Sequence, residues 1–152
     1  MSTFDYIKNE MSYKERGTWI DLAVAAYVAV SYTWSILAGR NGLPLMEVAF
    51  RGPMFRAILI SIGATIALHI IYAIFSGDTS AQEDQRDRQV SRFGDWVSLF
   101  PLSVGALAGL ILAMYDQHHF YIAHAIFLGF FLSSITGSIT RLIAYRRGTG
   151  MA

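Results

Sequence analysis

A chain of 152 residues with a formal net charge of +1 and 15% charged residues carries too little charge to argue for nucleic acid or a strongly basic membrane patch. Its 54% hydrophobic residues and mean hydropathy of +0.41 place it instead among membrane proteins of a single domain. The absence of cysteine removes disulfides, thiolate metal sites and cysteine nucleophiles.

Four apolar runs, at about 19–38, 54–75, 96–115 and 120–140, each reach the roughly 20 residues that a helix needs to cross a bilayer. None shows the charged face of a soluble helix or the alternation of a membrane barrel strand. The sequence therefore predicts an all-α polytopic membrane protein, a four-transmembrane-helix bundle filling residues 1–152. No room is left for a separate soluble domain. The segment before the first run is polar and mixed in charge, and lacks a small-residue cleavage site, so the first span is expected to be retained.

Lys8, Lys14 and Arg16 precede span one, Arg86, Arg88 and Arg92 lie between spans two and three, and Arg141, Arg146 and Arg147 close span four. The other side has only Arg40, Arg51 and Arg56, and the 116–119 turn carries no Lys or Arg. The positive-inside rule then predicts both termini in the cytoplasm, N-in and C-in. Trp19, Trp96, Tyr115, Phe120, Tyr121 and Tyr145 fall at the predicted interfaces, where amphipathic rings are favoured.

In the second span the sequence offers Gly63 and Ala67 as a weak small-residue pair. The loop that follows opens with Ser80-Ala81-Gln82-Glu83, the form of a capping box, and predicts a short charged helix over about 81–93. Asp84 and Arg88 lie four apart on it, and Arg92 extends the same face. Val90 and Phe93 are expected to lie against the membrane. Asp84, Arg86, Asp87, Arg88 and Arg92 together form a candidate docking surface for a cytoplasmic partner, or simply a solvated helix feeding span three.

Span three contains Pro101, which removes one helical hydrogen bond and predicts a bend. Gly105 and Gly109 are spaced for close helix approach, as are Ala125, Gly129, Ser133 and Gly137 on span four, the expected packing hub. The same stripe admits either packing inside one bundle or a homodimer seam. The segment Arg16-Gly17-Thr18-Trp19-Ile20-Asp21 resembles Arg92-Phe93-Gly94-Asp95-Trp96, which suggests a weak two-plus-two internal repeat.

Asp84-Gln85-Arg86-Asp87-Arg88, Arg92-Phe93-Gly94-Asp95-Trp96 and Tyr145-Arg146-Arg147-Gly148, with Lys14-Glu15-Arg16 and the Gly42 to Glu47 loop, resemble a family of small four-helix bacterial inner-membrane proteins. The resemblance covers most of the chain, although Gln85 stands where members commonly carry an acidic residue. It implies a bacterial inner membrane and this topology. Members are often encoded beside small helix-turn-helix regulators, which implies a link to envelope sensing. No catalytic residue or cofactor is established for the family, so none is implied.

Ionisable residues within spans are expensive and mark candidate sites. At about 1.5 Å per residue, Asp21, Arg141 and His69 lie roughly 3–5, 6 and 9 Å below the same interface, so a cluster of the three is expected, with a proton relay as its chemistry. Alternatively, Asp21 and Arg141 snorkel and His69 makes a core hydrogen bond. A second grouping at the other face comprises Arg56, Asp116, His118, His119 and His124. His119 and His124 are five apart and point to different faces, so no metal site is predicted there. His69 and His124 differ by something like 15 Å in depth and are unable to share a haem.

No phosphate-binding loop, dinucleotide motif, metalloprotease histidine pair or serine-nucleophile elbow is present in the sequence, so an enzyme is not expected, nor any cofactor. The hydroxyls of span four are expected to bond to the preceding turn of their own helix. The sequence thus favours an association, regulatory or structural membrane subunit, partnered by the lipid bilayer, by a second copy or by a membrane or cytoplasmic regulatory protein. The alternative is a small-solute or proton-coupled transporter or channel using Asp21, His69 and Arg141.

Overall fold

The computed structural model describes residues 13–76 and 85–147. Within them the chain is all-α, with four long helices: α1 (Tyr13–Gly39), α2 (Arg51–Ser76), α3 (Gln85–Met114) and α4 (His119–Arg147). Each is long and apolar enough to span a membrane, since about 20 residues suffice.

Local sequence explains where each helix stops. After α1 the chain turns through Asn41 and Gly42, both at positive φ (41° and 82°), a conformation that Asn and Gly tolerate best. A short 3-10 turn, Leu45–Glu47, follows Pro44, and Pro53 occupies the first turn of α2, where an N–H has no helical partner to lose. The end of α3 is closed by two bonds, Gln117 N–H to the Leu112 carbonyl at 3.0 Å and Asp116 N–H to the Ala113 carbonyl at 3.1 Å. With Asp116 at φ 50° this is a Schellman cap built on aspartate instead of glycine. The Phe120 N–H then donates to His118 Nδ1 at 3.3 Å, so His118 caps the start of α4.

The charged segment before span three is not a separate helix among the described residues. From Gln85 it runs unbroken into the span, through Gly94 and Asp95, because no proline interrupts it before Pro101 and extending an existing helix adds a bond for each residue fixed. Val90 lies fully buried inside the protein, not against the membrane. The proposed cap at 80–83 and Asp84 fall outside the described residues.

Packing is unequal. The α3–α4 pair is the most extensive contact, and α1 packs on both α2 and α4. The core follows one stripe of α1, Val24, Val28, Tyr32 and Ile36, closed by Val48 and Phe50 of the first connection, Ala57 of α2 and Phe120 of α4. Phe120 is therefore a core residue, edge-on to Phe50 with centroids 5.2 Å apart, instead of an interfacial ring. By contrast, Ile62, Ile66, Ile70 and Ile74 of α2 remain exposed, a surface that only lipid or another apolar chain can cover.

At the α3–α4 seam the backbones touch. A Cβ added to Gly105 would lie 2.4 Å from the Gly129 Cα, and one added to Gly109 would lie 2.5 Å from Ile126 Cγ1. Gly137 is closed by Ser98 Cβ at 3.0 Å. Small residues let the helices approach this closely. Gly63 on α2 meets nothing within 4 Å and has no such role.

Candidate functional site

Three helices bring Asp21, His69 and Arg141 together near the end of the bundle where α1 begins. Asp21 Oδ1 lies 3.6 Å from His69 Nε2 and Asp21 Oδ2 lies 4.0 Å from Arg141 Nη1. The fourth helix adds a residue the sequence reading passed over: Arg141 Nη2 donates to Asp95 Oδ1 at 2.5 Å. Arg141 therefore stands between two carboxylates and is far closer to Asp95 than to Asp21.

Proton positions follow from the hydrogen bonds. His69 Nδ1 lies 2.9 Å from the Thr65 carbonyl, which only accepts, so Nδ1 carries a hydrogen. The remaining nitrogen, Nε2, faces the Asp21 carboxylate. A lone pair facing a carboxylate is repulsive, and the approach becomes attractive only when one proton is held on His69 or Asp21. Gly94 makes the room for Arg141: a Cβ there would overlap it, 2.4 Å from Cγ and 2.9 Å from Nε, whereas one on Gly17 would only touch His69 Nε2, at 3.4 Å.

Beside this cluster lies a cavity of about 330 Å³, lined by Asp21 and Arg141 and by the hydroxyls of Ser61, Thr65, Ser98, Ser133, Ser134 and Ser138. Ser133, expected in the packing seam, is one of these lining residues. Hydroxyls from three helices thus face one space, where each can donate or accept.

At the opposite end the predicted histidine grouping is drawn in differently. Tyr32 Oη lies 2.6 Å from His124 Nε2, while His124 Nδ1 donates to the Phe120 carbonyl at 2.7 Å. Both ring nitrogens are spent inside the bundle, and Tyr32 is the donor to Nε2. Arg51 donates to His119 Nε2 at 3.4 Å, taking the position expected for Arg56, which is exposed. Asp116 sits in the exposed turn. Among the described residues no three His, Asp or Glu side chains gather to hold a metal.

Of the loop residues, Arg86 and Asp87 lie in the first turn of α3, Asp87 is half-buried, and Arg88 and Arg92 are exposed. Asp95, Gly94 and Tyr32 are the residues that sequence reasoning missed. The first two were visible in the likeness between 16–21 and 92–96, since each segment supplies a glycine and an aspartate to the cluster. Comparison of the chain with protein-family models, with curated proteins and with solved structures finds no match, so the four apolar spans and this site are what bear on its activity.

Proposed function

We propose that the protein is a small transporter that binds and exchanges a proton at Asp21, His69 and Arg141. The observation that carries this reading is the Asp21–His69 approach, which needs one proton to be attractive and borders a hydroxyl-lined cavity. Asp21 and His69 hold the exchangeable proton, Arg141 sets the charge on Asp21, and Asp95 anchors Arg141. An ionisable group that remains within a span is costly unless it is paired or wet, and Asp21 lies 3.6 Å from His69, 4.0 Å from Arg141 and beside a hydroxyl-lined cavity.

The distribution of Lys and Arg supports a cytoplasmic location for both termini and for this site, and the family resemblance supports a bacterial inner membrane. Reconstitution into liposomes loaded with a pH-sensitive dye tests the reading. Proton flux above that of empty vesicles, abolished in Asp21→Asn, is expected; equal flux in the parent, the variant and protein-free vesicles removes it.

A second reading, an association or regulatory subunit, rests on the exposed Arg88 and Arg92 of the α3 extension and on the exposed apolar surface of α2. It predicts that reversing charge at Arg88 and Arg92 releases a co-purifying membrane or cytoplasmic protein. Unchanged recovery of that protein counts against it.

A further inference from the structure

A groove of about 570 Å³ separates α2 from α4 above α1, and its lining is almost wholly apolar, including Met54, Ile58, Ile62, Ile126, Phe127 and Phe131. It is not isolated from the polar cavity. Ala25, Ser61, Phe130 and Ser134 line both, so the apolar slot adjoins, at these four residues, the cavity that Asp21 lines. Ile62 and Phe130, at 56% and 60% exposure, leave that slot open sideways, toward the hydrocarbon of a bilayer.

Charge decides what suits its polar end. Arg141 is held at 2.5 Å by Asp95 and only 4.0 Å from Asp21, so Coulomb attraction, which falls with distance, commits it mainly to Asp95. Asp21 faces His69 on α2 and Arg141 on α4, and through Arg141 the Asp95 of α3. With His69 neutral these four groups sum to −1, and with His69 protonated to zero. The less compensated charge is the Asp21 carboxylate, which lines the polar cavity one helical turn from Ala25, a residue common to cavity and groove.

We infer that these two adjoining spaces together bind a lipophilic monocation, an amphiphile with a cationic head at Asp21 and an apolar body in the α2–α4 groove, and that the cation takes the place of the proton shared by Asp21 and His69. This assignment rests on the proton-exchange reading above and names its second substrate. Exchange is charge-neutral: one monocation enters and one proton leaves to water. Such a ligand concentrates in the bilayer and reaches the open side of the groove from there.

The test uses the full chain in nanodiscs with tetraphenylphosphonium as probe and tetraphenylborate, of the same shape and opposite charge, as control. Saturable binding of tetraphenylphosphonium is expected at about pH 8, weakened about tenfold or more near pH 5, where the proton competes. Asp21→Asn should abolish it, and Ser134→Leu, which fills the junction while leaving the carboxylate, should weaken it about tenfold. Both variants are first checked for unchanged helix content and a single elution peak. Equal binding of tetraphenylborate, binding indifferent to Asp21→Asn, or none above empty nanodiscs overturns the assignment. Loss of binding alongside Asp21-dependent proton flux in liposomes would overturn this inference alone; loss of both would overturn the parent reading as well.

Discussion

Asp21 and His69 face each other across 3.6 Å from adjacent helices, and the histidine's other nitrogen is tied to the Thr65 carbonyl at 2.9 Å. That arrangement fixes a tautomer as well as a distance. The same logic gives His124 its hydrogen on Nδ1, and gives His118, which accepts at Nδ1, its hydrogen on Nε2.

A single spectrum can read these assignments. In lipid at high pH, ¹⁵N resonances of His69 and His124 should show hydrogen on Nδ1, and His118 should show it on Nε2. Finding neutral His69 with hydrogen on Nε2 would break the proton accounting at the site.

Gly94 separates the site from the scaffold. A methyl there overlaps the Arg141 side chain at Cγ and Nε, so Arg141 must give up its place between Asp21 and Asp95. Gly94→Ala is expected to suppress Asp21-dependent flux while lowering stability by no more than about 1 kcal/mol. A variant that unfolds outright, or one with full flux, would contradict this role.

The α3–α4 seam behaves in the opposite way. Gly105→Ala puts a methyl against the Gly129 backbone, which has no rotamer to yield, and overpacking of this kind typically costs roughly 1–3 kcal/mol. Gly63→Ala meets open space and should change stability by no more than about 0.5 kcal/mol. Detergent-unfolding midpoints of the two variants, compared with the parent, distinguish seam from surface.

Tyr32 and His124 join α1 to α4 at the far end. Tyr32→Phe removes the donor and leaves His124 Nε2 unpaired, with an expected loss of roughly 1–3 kcal/mol. Tyr32→Phe combined with His124→Phe removes both partners and should lose less than the sum of the single changes, as a double-mutant cycle would measure. Additive losses would mean that the bond contributes nothing of its own.

The four long apolar helices were legible because a bilayer demands long apolar runs and because nothing else in a chain of this composition can satisfy the backbone. Depth counting also placed Asp21, His69 and Arg141 at one level. It had no means of choosing partners: rotation about the axes of α1, α3 and α4 decides whether Arg141 meets Asp21 or Asp95, and depth along an axis carries no information about rotation. Gly94 and Asp95 stand out in the sequence only through the likeness of 92–96 to 16–21, which gives neither of them a partner. Likewise His124 looked like a member of an outer polar group until Tyr32, three turns into α1 from Asp21, supplied a partner.

The contrast between the backbone-to-backbone seam of α3 with α4 and the bare flank of α2 also governs how this chain can change over time. At Gly105 and Gly129 almost any replacement collides with main chain, so those sites are closed to drift. Along the outer flank of α2 one bulky aliphatic serves as well as another, and substitutions there can accumulate freely as long as they stay greasy. Two lineages that keep the same seam and the same Asp21 could therefore diverge widely across α2, and that helix would be the part of the molecule in which new ligand preferences arise first.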